Sequence, residues 1–173
     1  KVPEVATVAA DLADILRSSI SGAEFVTLGQ ELTTLERYVE IQSIRFPGKF
    51  SLRIDAGEAA REVLVPKLML QPIVENSILH GFAESGGSIE VSARLEGREL
   101  EVTVRDDGCG MSEESIRRFR SRDADEGRQH LGLRNVDAIL RLHYGEDHGL
   151  RFLPVEGRGT CVSIRLPARF EEE

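Results

Sequence analysis

LMLQPIVENSILHG, residues 68–81, is the stretch on which the reading of this chain turns. Wound as a helix, it stacks Leu70, Val74, Ile78 and, one residue beyond it, Phe82 on a single stripe, because residues four apart lie nearly above one another. That stripe faces a core. Asn76 and His80 form a second four-apart pair, about 200° around the helix from Val74 and Ile78 at about 100° per residue. The same helix therefore carries a polar face, which by itself fits ordinary solvated surface equally well. Three glycine-bearing turns follow downstream: DDGCG at 106–110, LGLRN at 131–135 and GRGT at 157–160. Each glycine supplies backbone angles that a turn requires. The first turn closes a strand-like alternation of Leu100, Val102 and Val104, the second opens a helix-like run, and the third precedes another strand.

The 173 residues are 40% hydrophobic, enough for one well-buried core plus an appendage and tight for two independent domains. A formal net charge of −8 argues against general nucleic-acid binding, which needs an excess of Lys and Arg along a phosphate-tracking surface. A nucleotide needs only a local pocket of positive charge or amides. No apolar run approaches the length of a membrane span, and no basic-then-apolar leader opens the sequence, so no membrane contact is expected of these residues. Cys109 and Cys161 lie far apart without paired metal spacing, and the four histidines are too scattered for a zinc motif. His143 and His148 flank a glycine turn and are expected to be exposed.

Taken in order, Val5, Val8, Ala9, Leu12, Ile15 and Leu16 recur at helical spacing and predict an amphipathic helix over residues 3–19, with Pro3 near its start. Thr27 and Gln30 fit a capping box that opens a second helix, with Leu28, Leu32, Leu35 and Val39 on one face and its end near Phe46, where Pro47 and Gly48 break it. Phe50, Leu52 and Ile54 alternate as a strand, and a polar turn over 56–61 and a short extended piece at 63–65 lead to the central helix. Ile89, Val91, Ala93 and Leu95 make a second strand, joined through Glu96-Gly97-Arg98 to a third at 100–105. Residues 112–127 are polar and predict a short helix at 113–119 within a mobile cover. Residues 131–144 repeat Val136, Ile139, Leu140 and Leu142 or His143 as a helix that stops at Gly145. Leu150 and Phe152, then Cys161, Val162, Ile164 and Leu166, form the closing strands. The predicted fold is an α/β (α+β) two-layer sandwich, with a mixed, mainly antiparallel sheet, helices on one face, and N-terminal helices before it. A dinucleotide-binding fold is excluded by the lack of a βαβ unit with a full glycine fingerprint, and the phosphate loop GxxxxGK[ST] is absent.

The ordered set of the 68–81 helix and the three turns resembles the N, G1, G2 and G3 boxes of the ATP-binding domain shared by sensor histidine kinases, gyrase-type topoisomerases, heat-shock chaperone ATPases and mismatch-repair ATPases. LQPIVENSILHG, DDGCGM and GLRNV are most similar to the LytS-type branch of bacterial sensor histidine kinases, over residues from about Val5 to Leu166. The resemblance implies a division into residues 1–46, a remnant of the dimerisation and phosphoacceptor helices with a linker, and residues 47–170, the ATP-binding catalytic domain. It implies ATP and Mg²⁺ as cofactors, with Asn76 as the metal ligand through its carboxamide oxygen. His80 then faces the phosphates, and Glu75 orients a water or a metal-bound ligand, or else is a solvent-facing carboxylate. Asp106 stands at the position of the adenine-reading carboxylate, Gly108 and Gly110 let the backbone pass close to the base, and Thr160 joins the adenine side. The amides around Gly132 and Leu133 meet phosphate at a helix start, with Arg134 adding charge.

Two positions depart from the family pattern: His130 stands at the first glycine of Gly-x-Gly-Leu, and Leu79 replaces a basic residue before His80. No histidine precedes His80, so the resemblance places the phosphate-accepting histidine upstream of these residues. The implied function is transfer of the ATP γ-phosphoryl group to that histidine and onward to a response regulator. The full-length protein is expected to be a homodimer through the N-terminal helices and membrane-anchored, with this portion in a bacterial cytoplasm. Two other readings stay open: a clamp-type ATPase of the same superfamily, and a nucleotide-sensing or dimerising pseudokinase.

Overall fold

The computed structural model describes residues 24–82, 86–121 and 130–171. The helix predicted over 3–19 and the last part of the predicted cover, residues 122–127, lie outside them. A short strand β1 (Phe25–Thr27) runs into helix α1 (Leu28–Arg45). The capping box is present as predicted: the Thr27 hydroxyl accepts from the Gln30 amide, and the Gln30 side chain accepts from the Thr27 amide. Leu28, Leu32, Leu35 and Val39 bury the apolar face of α1 in one continuous core with the sheet.

Strands β2 (Phe50–Ala56), β4 (Gly87–Glu96), β5 (Glu99–Asp106), β7 (Cys161–Pro167) and β6 (Arg151–Leu153) form a five-stranded sheet in the order β2-β4-β5-β7-β6. The β2–β4 pair is parallel and the other pairs are antiparallel, so the sheet is mixed and mainly antiparallel. Period-two alternation sets its two faces. Ile89, Val91, Ala93, Leu100, Val102, Val104, Val162, Ile164 and Leu166 point to the helical layer and are buried. The opposite face is polar and carries exposed pairs such as Arg94–Asp55 and Arg165–Glu101, which contribute little to stability in water.

β1 pairs antiparallel with β3 (Leu64–Pro66), a pairing that three residues of unremarkable sequence do not announce. The predicted turn at 56–61 contains one helical turn, α2 (Glu58–Arg61). The central helix is shorter than expected and changes pitch: α3 (Gln71–Asn76) is α-helical, while Ser77–Gly81 is π-helical, with the Phe82 amide bonding Ser77 O. Leu68 adopts φ 59°, which ends any helix before Met69. The Leu70, Val74, Ile78 and Phe82 stripe is nevertheless buried throughout.

Helix α4 (Glu113–Ser121) lies where the short helix was expected, and α5 (Leu131–Tyr144) ends at Gly145 as predicted. On α5 the buried positions are Leu133, Val136, Asp137 and Leu140, whereas Leu142 is 79% exposed. His143 is not a free surface residue: it lies 3.1 Å from Glu24 and meets the Phe25 ring edge-on.

Candidate functional site

Glu31, on the inner face of α1, fixes where the central helix begins. Its carboxylate is buried and accepts the amides of Leu68 and Leu70, both at 3.0 Å. The Leu70 amide is one that a helix start leaves without an intrahelical partner, and the Leu68 amide belongs to the turn that leads into it. Burial pushes the Glu31 carboxyl above its ordinary value, against the lowering effect of the amides it accepts from. The polar contact crosses an apolar interface, and no periodicity in the sequence marks it.

From that anchor α3 runs to Asn76, and the π turn carries the chain on to His80 and Gly81. Widening the helix there leaves Phe82 in the core while His80 becomes exposed at the rim of a cavity of about 220 Å³. The cavity is lined by Pro72, Glu75, Asn76, Leu79 and His80 from the central helix and by His130, Leu131, Gly132 and Leu133 from the start of α5. A Cβ on Gly132 would stand 3.2 Å from the Pro72 Cβ, so glycine lets the two helices approach. The first residues of α5 line this end of the cavity, and a helix start leaves its opening amides without intrahelical partners.

His130 caps α5 in the left-handed region, φ 62° and ψ 21°, and its Nδ1 lies 2.8 Å from Asn76 Oδ1. A histidine tolerates this conformation better than a β-branched residue does, but glycine is the usual occupant. Its ring centroid is 5.6 Å from that of His80. Burial, with His80 and Arg134 nearby, lowers the His130 imidazole below its ordinary value, so the neutral ring predominates at pH 7.

The second half of the site forms around Asp106, at the end of β5, which is 3% exposed. Oδ2 accepts the Ser77 hydroxyl at 2.7 Å, and Oδ1 accepts the amides of Gly108 at 3.0 Å and Thr160 at 3.1 Å. The Asp106 amide in turn donates to Thr160 O. Gly108 passes so close to the central helix that a Cβ there would stand 2.6 Å from Gly81 O, and the Cys109 amide donates to that same carbonyl. Gly110, at φ 80°, packs against Gly159, where a Cβ would meet the Gly159 carbonyl at 2.8 Å. Asp107 belongs to the turn: its carboxylate takes the Ser88 hydroxyl and amide, which hold it below the usual carboxylate range.

The π turn is therefore the hinge pin of the site, with Ser77 and Gly81 on the Asp106 side and Asn76 and His80 on the cavity side. Residues 63–169 match the model of the Histidine kinase-, DNA gyrase B-, and HSP90-like ATPase. The chain belongs to that family.

Within this ATPase family the chain is the catalytic ATP-binding domain of the sensor-histidine-kinase type, as the resemblance of its boxes implied. Residues 1–50 match the Histidine kinase family model. A sensor-like histidine kinase of Staphylococcus epidermidis is 36% identical over 95% of this chain and 33% of its own length. The sensor protein kinase HptS of Staphylococcus aureus is 33% identical over 93% of this chain and 32% of its own length. The chain thus spans about a third of the length of these relatives. Among solved structures, the catalytic domain of histidine kinase ThkA shares the fold at a TM-score of 0.63 and 15% identity, covering 83% of this chain and 93% of that one. The histidine kinase domain of a blue-light activated kinase from Erythrobacter litoralis does so at 0.59 and 24%, covering 94% and 73%.

Of the residues singled out from the sequence, Glu75, Asn76, His80, Gly132 and Leu133 share the cavity, and Asp106, Gly108, Gly110 and Thr160 share the adjoining cluster. Arg134 stands apart: its guanidinium donates to Arg118 O and lines a neighbouring groove with Phe119, Asp137 and Arg141. Ser77 was not singled out, although its place four residues after Ile73 and one after Asn76 puts it on the edge of the buried stripe. Among the described residues no group of three or more His, Cys, Asp or Glu is placed to hold a metal. Asn76 Oδ1 offers one hard oxygen donor at the cavity wall, which fits an ion such as Mg²⁺ that takes few protein ligands and completes its shell with phosphate oxygens and water. No helix among the described residues is long and apolar enough to cross a membrane.

Proposed function

We propose that this domain binds Mg²⁺–ATP between the Asp106 cluster and the Asn76 cavity and delivers the γ-phosphoryl group to a histidine on a dimerisation helix upstream of residue 1, from which it passes to a response-regulator aspartate. The observation that carries this reading is the hydrogen bonding of Asp106. A carboxylate offers about four acceptor positions, and three are filled by Ser77, Gly108 and Thr160. One position on Oδ2 is left for a donor. The exocyclic amine of adenine supplies one, whereas guanine presents a carbonyl at the same place and is repelled.

The phosphates then extend along the π turn toward Asn76. His80, exposed at the rim, donates to phosphate oxygens, and the opening amides of α5 at Gly132 and Leu133 add directed N–H groups where net charge is unfavourable. Asn76 holds the metal, which when bound neutralises phosphate charge. Glu75, half-buried on the cavity wall, orients a water or a metal-bound ligand. Gly108 and Gly110 keep side chains away from the base, and Thr160 joins the adenine-side hydrogen bonds. Positioning and charge neutralisation supply most of the catalysis in such a transfer. On the same proposal the longer protein is a homodimer through its N-terminal helices and is membrane-anchored, with this portion in the cytoplasm.

The test is label transfer. With ATP labelled in the γ-phosphate, residues 1–173 alone should bind nucleotide and remain unlabelled, while a longer chain that includes the upstream helix should acquire an acid-labile phosphohistidine. Label on the 173-residue chain contradicts the proposal.

A further inference from the structure

We propose that His130 is a nitrogen ligand to the metal that enters with the nucleotide, so that Asn76 and His130 together form a mixed oxygen and nitrogen site that favours Mn²⁺ and later transition ions over Mg²⁺. This rests on the reading above, in which Asn76 is the metal ligand.

Three observations carry it. First, Asn76 Oδ1 and His130 Nδ1 lie 2.8 Å apart and both face the cavity. Two donors in neighbouring positions on one octahedral ion, each about 2.1 Å from it, stand about 3.0 Å apart. An ion fits against this pair with a shift of a few tenths of an ångström. Second, His130 holds φ 62°, a conformation in which glycine relieves strain and histidine retains it. What the histidine gains is the bond of its ring to Asn76, so the left-handed turn aims the imidazole at the metal ligand. Third, the ring is half-buried on the cavity wall.

A ring with its proton on Nδ1 donates to Asn76 Oδ1, whereas a ring with its proton on Nε2 would offer the Nδ1 lone pair to an ion at the same place, and the change of tautomer releases no net proton. Imidazole nitrogen suits Fe, Ni, Cu and Zn ions, and Mn²⁺, although it also takes oxygen shells, accepts a nitrogen ligand more readily than Mg²⁺, which keeps an all-oxygen shell and loses water reluctantly. His80, whose ring centroid is 5.6 Å away, faces the phosphates and serves as the internal control for any imidazole close to the site.

The experiment is pulsed EPR of Mn²⁺ with ADP on uniformly ¹⁵N-labelled protein, which separates protein imidazole from the unlabelled adenine ring. Wild type should show a directly bonded ¹⁵N coupling that survives His80→Gln and vanishes in His130→Gly and in His130→Asn, the latter chosen because Asn also tolerates the left-handed turn. In calorimetry, both His130 variants should lose about tenfold or more in Mn²⁺-supported ADP affinity and change little with Mg²⁺. Nucleotide that binds without a ¹⁵N coupling, or a coupling kept in His130→Gly and lost in His80→Gln, overturns the proposal and leaves the ATP-binding reading standing. Failure of wild type to bind ADP with either ion overturns both.

Discussion

The Ser77 hydroxyl donates to Asp106 Oδ2 at 2.7 Å, tying the π turn of the central helix to the end of β5. Both side chains are at most 3% exposed, so this bond does structural and recognition work together. Asp106→Asn keeps one acceptor oxygen and turns an NH₂ toward either the Ser77 hydroxyl or the amides of Gly108 and Thr160. At least one buried donor then loses its partner, at about 1–3 kcal/mol. Denaturant unfolding should show that loss, and an ATP titration should show binding weakened beyond detection or nearly so. Ser77→Ala removes one donor, and its smaller loss of stability should come with weakened ATP binding, since Oδ2 is then free to turn.

Glu31 makes a prediction in pH. Its folded value is raised above 4.5 by burial, so below that pH the carboxyl is protonated whether the chain is folded or not. As pH rises through the folded value, the unfolded chain has already released the proton, and the folded state is disfavoured. Glu31→Gln abolishes this titration, while its amide meets one of the two backbone N–H groups donor to donor, at about 1–3 kcal/mol. Unfolding free energies measured from pH 4 upward should therefore shift in favour of the variant relative to wild type as pH rises. A difference that stays flat, or moves the other way, shows that burial does not dominate at Glu31.

Gly108→Ala drives a methyl group to within 2.6 Å of Gly81 O, backbone against backbone. The β5 turn and the central helix must then separate, which costs on the order of 1–3 kcal/mol as overpacking. It should also break the alignment of Asp106 with Ser77. Thermal unfolding and nucleotide binding should fall together, whereas Gly97→Ala, in an open hairpin where no atom lies within 4 Å of the added Cβ, should lower stability through its φ of 62° and leave binding intact.

Most of the architecture was legible because its signals are periodic. Alternation at Ile89, Val91 and Ala93 and at Leu100, Val102 and Val104 marks strands, and the Thr27–Gln30 capping box marks a helix start. The residues that the fold gathers at the candidate site could be singled out where glycine spacing and a carboxylate fell in a known order. What stayed hidden is non-periodic. The π turn at Ser77–Gly81 changes helix pitch without altering composition, Glu31 reaches amides 37 and 39 residues away, and the three-residue pairing of β1 with β3 is too short to leave a pattern. His130 was visible as a departure from glycine, but only the fold shows its ring on Asn76. The placement of Arg134 beside Arg118 rather than in the cavity depends on which side of α5 its long side chain follows.

Asn76→Ala separates the metal from the base. Asn76 lies off the buried stripe, so the loss of stability should be limited to that of its bond to His130, while the gain in ATP affinity on adding Mg²⁺ should shrink about tenfold, equivalent to about 1.4 kcal/mol. Calorimetry with and without Mg²⁺ reads both quantities.

The most direct measurement is a calorimetric titration of the 173-residue chain with ATP and with GTP, each in Mg²⁺ and in chelator. The single acceptor position left on Asp106 predicts that ATP binds in Mg²⁺, binds more weakly in chelator, and exceeds GTP by at least about a hundredfold. GTP binding as tightly as ATP, or neither nucleotide binding, would contradict the account.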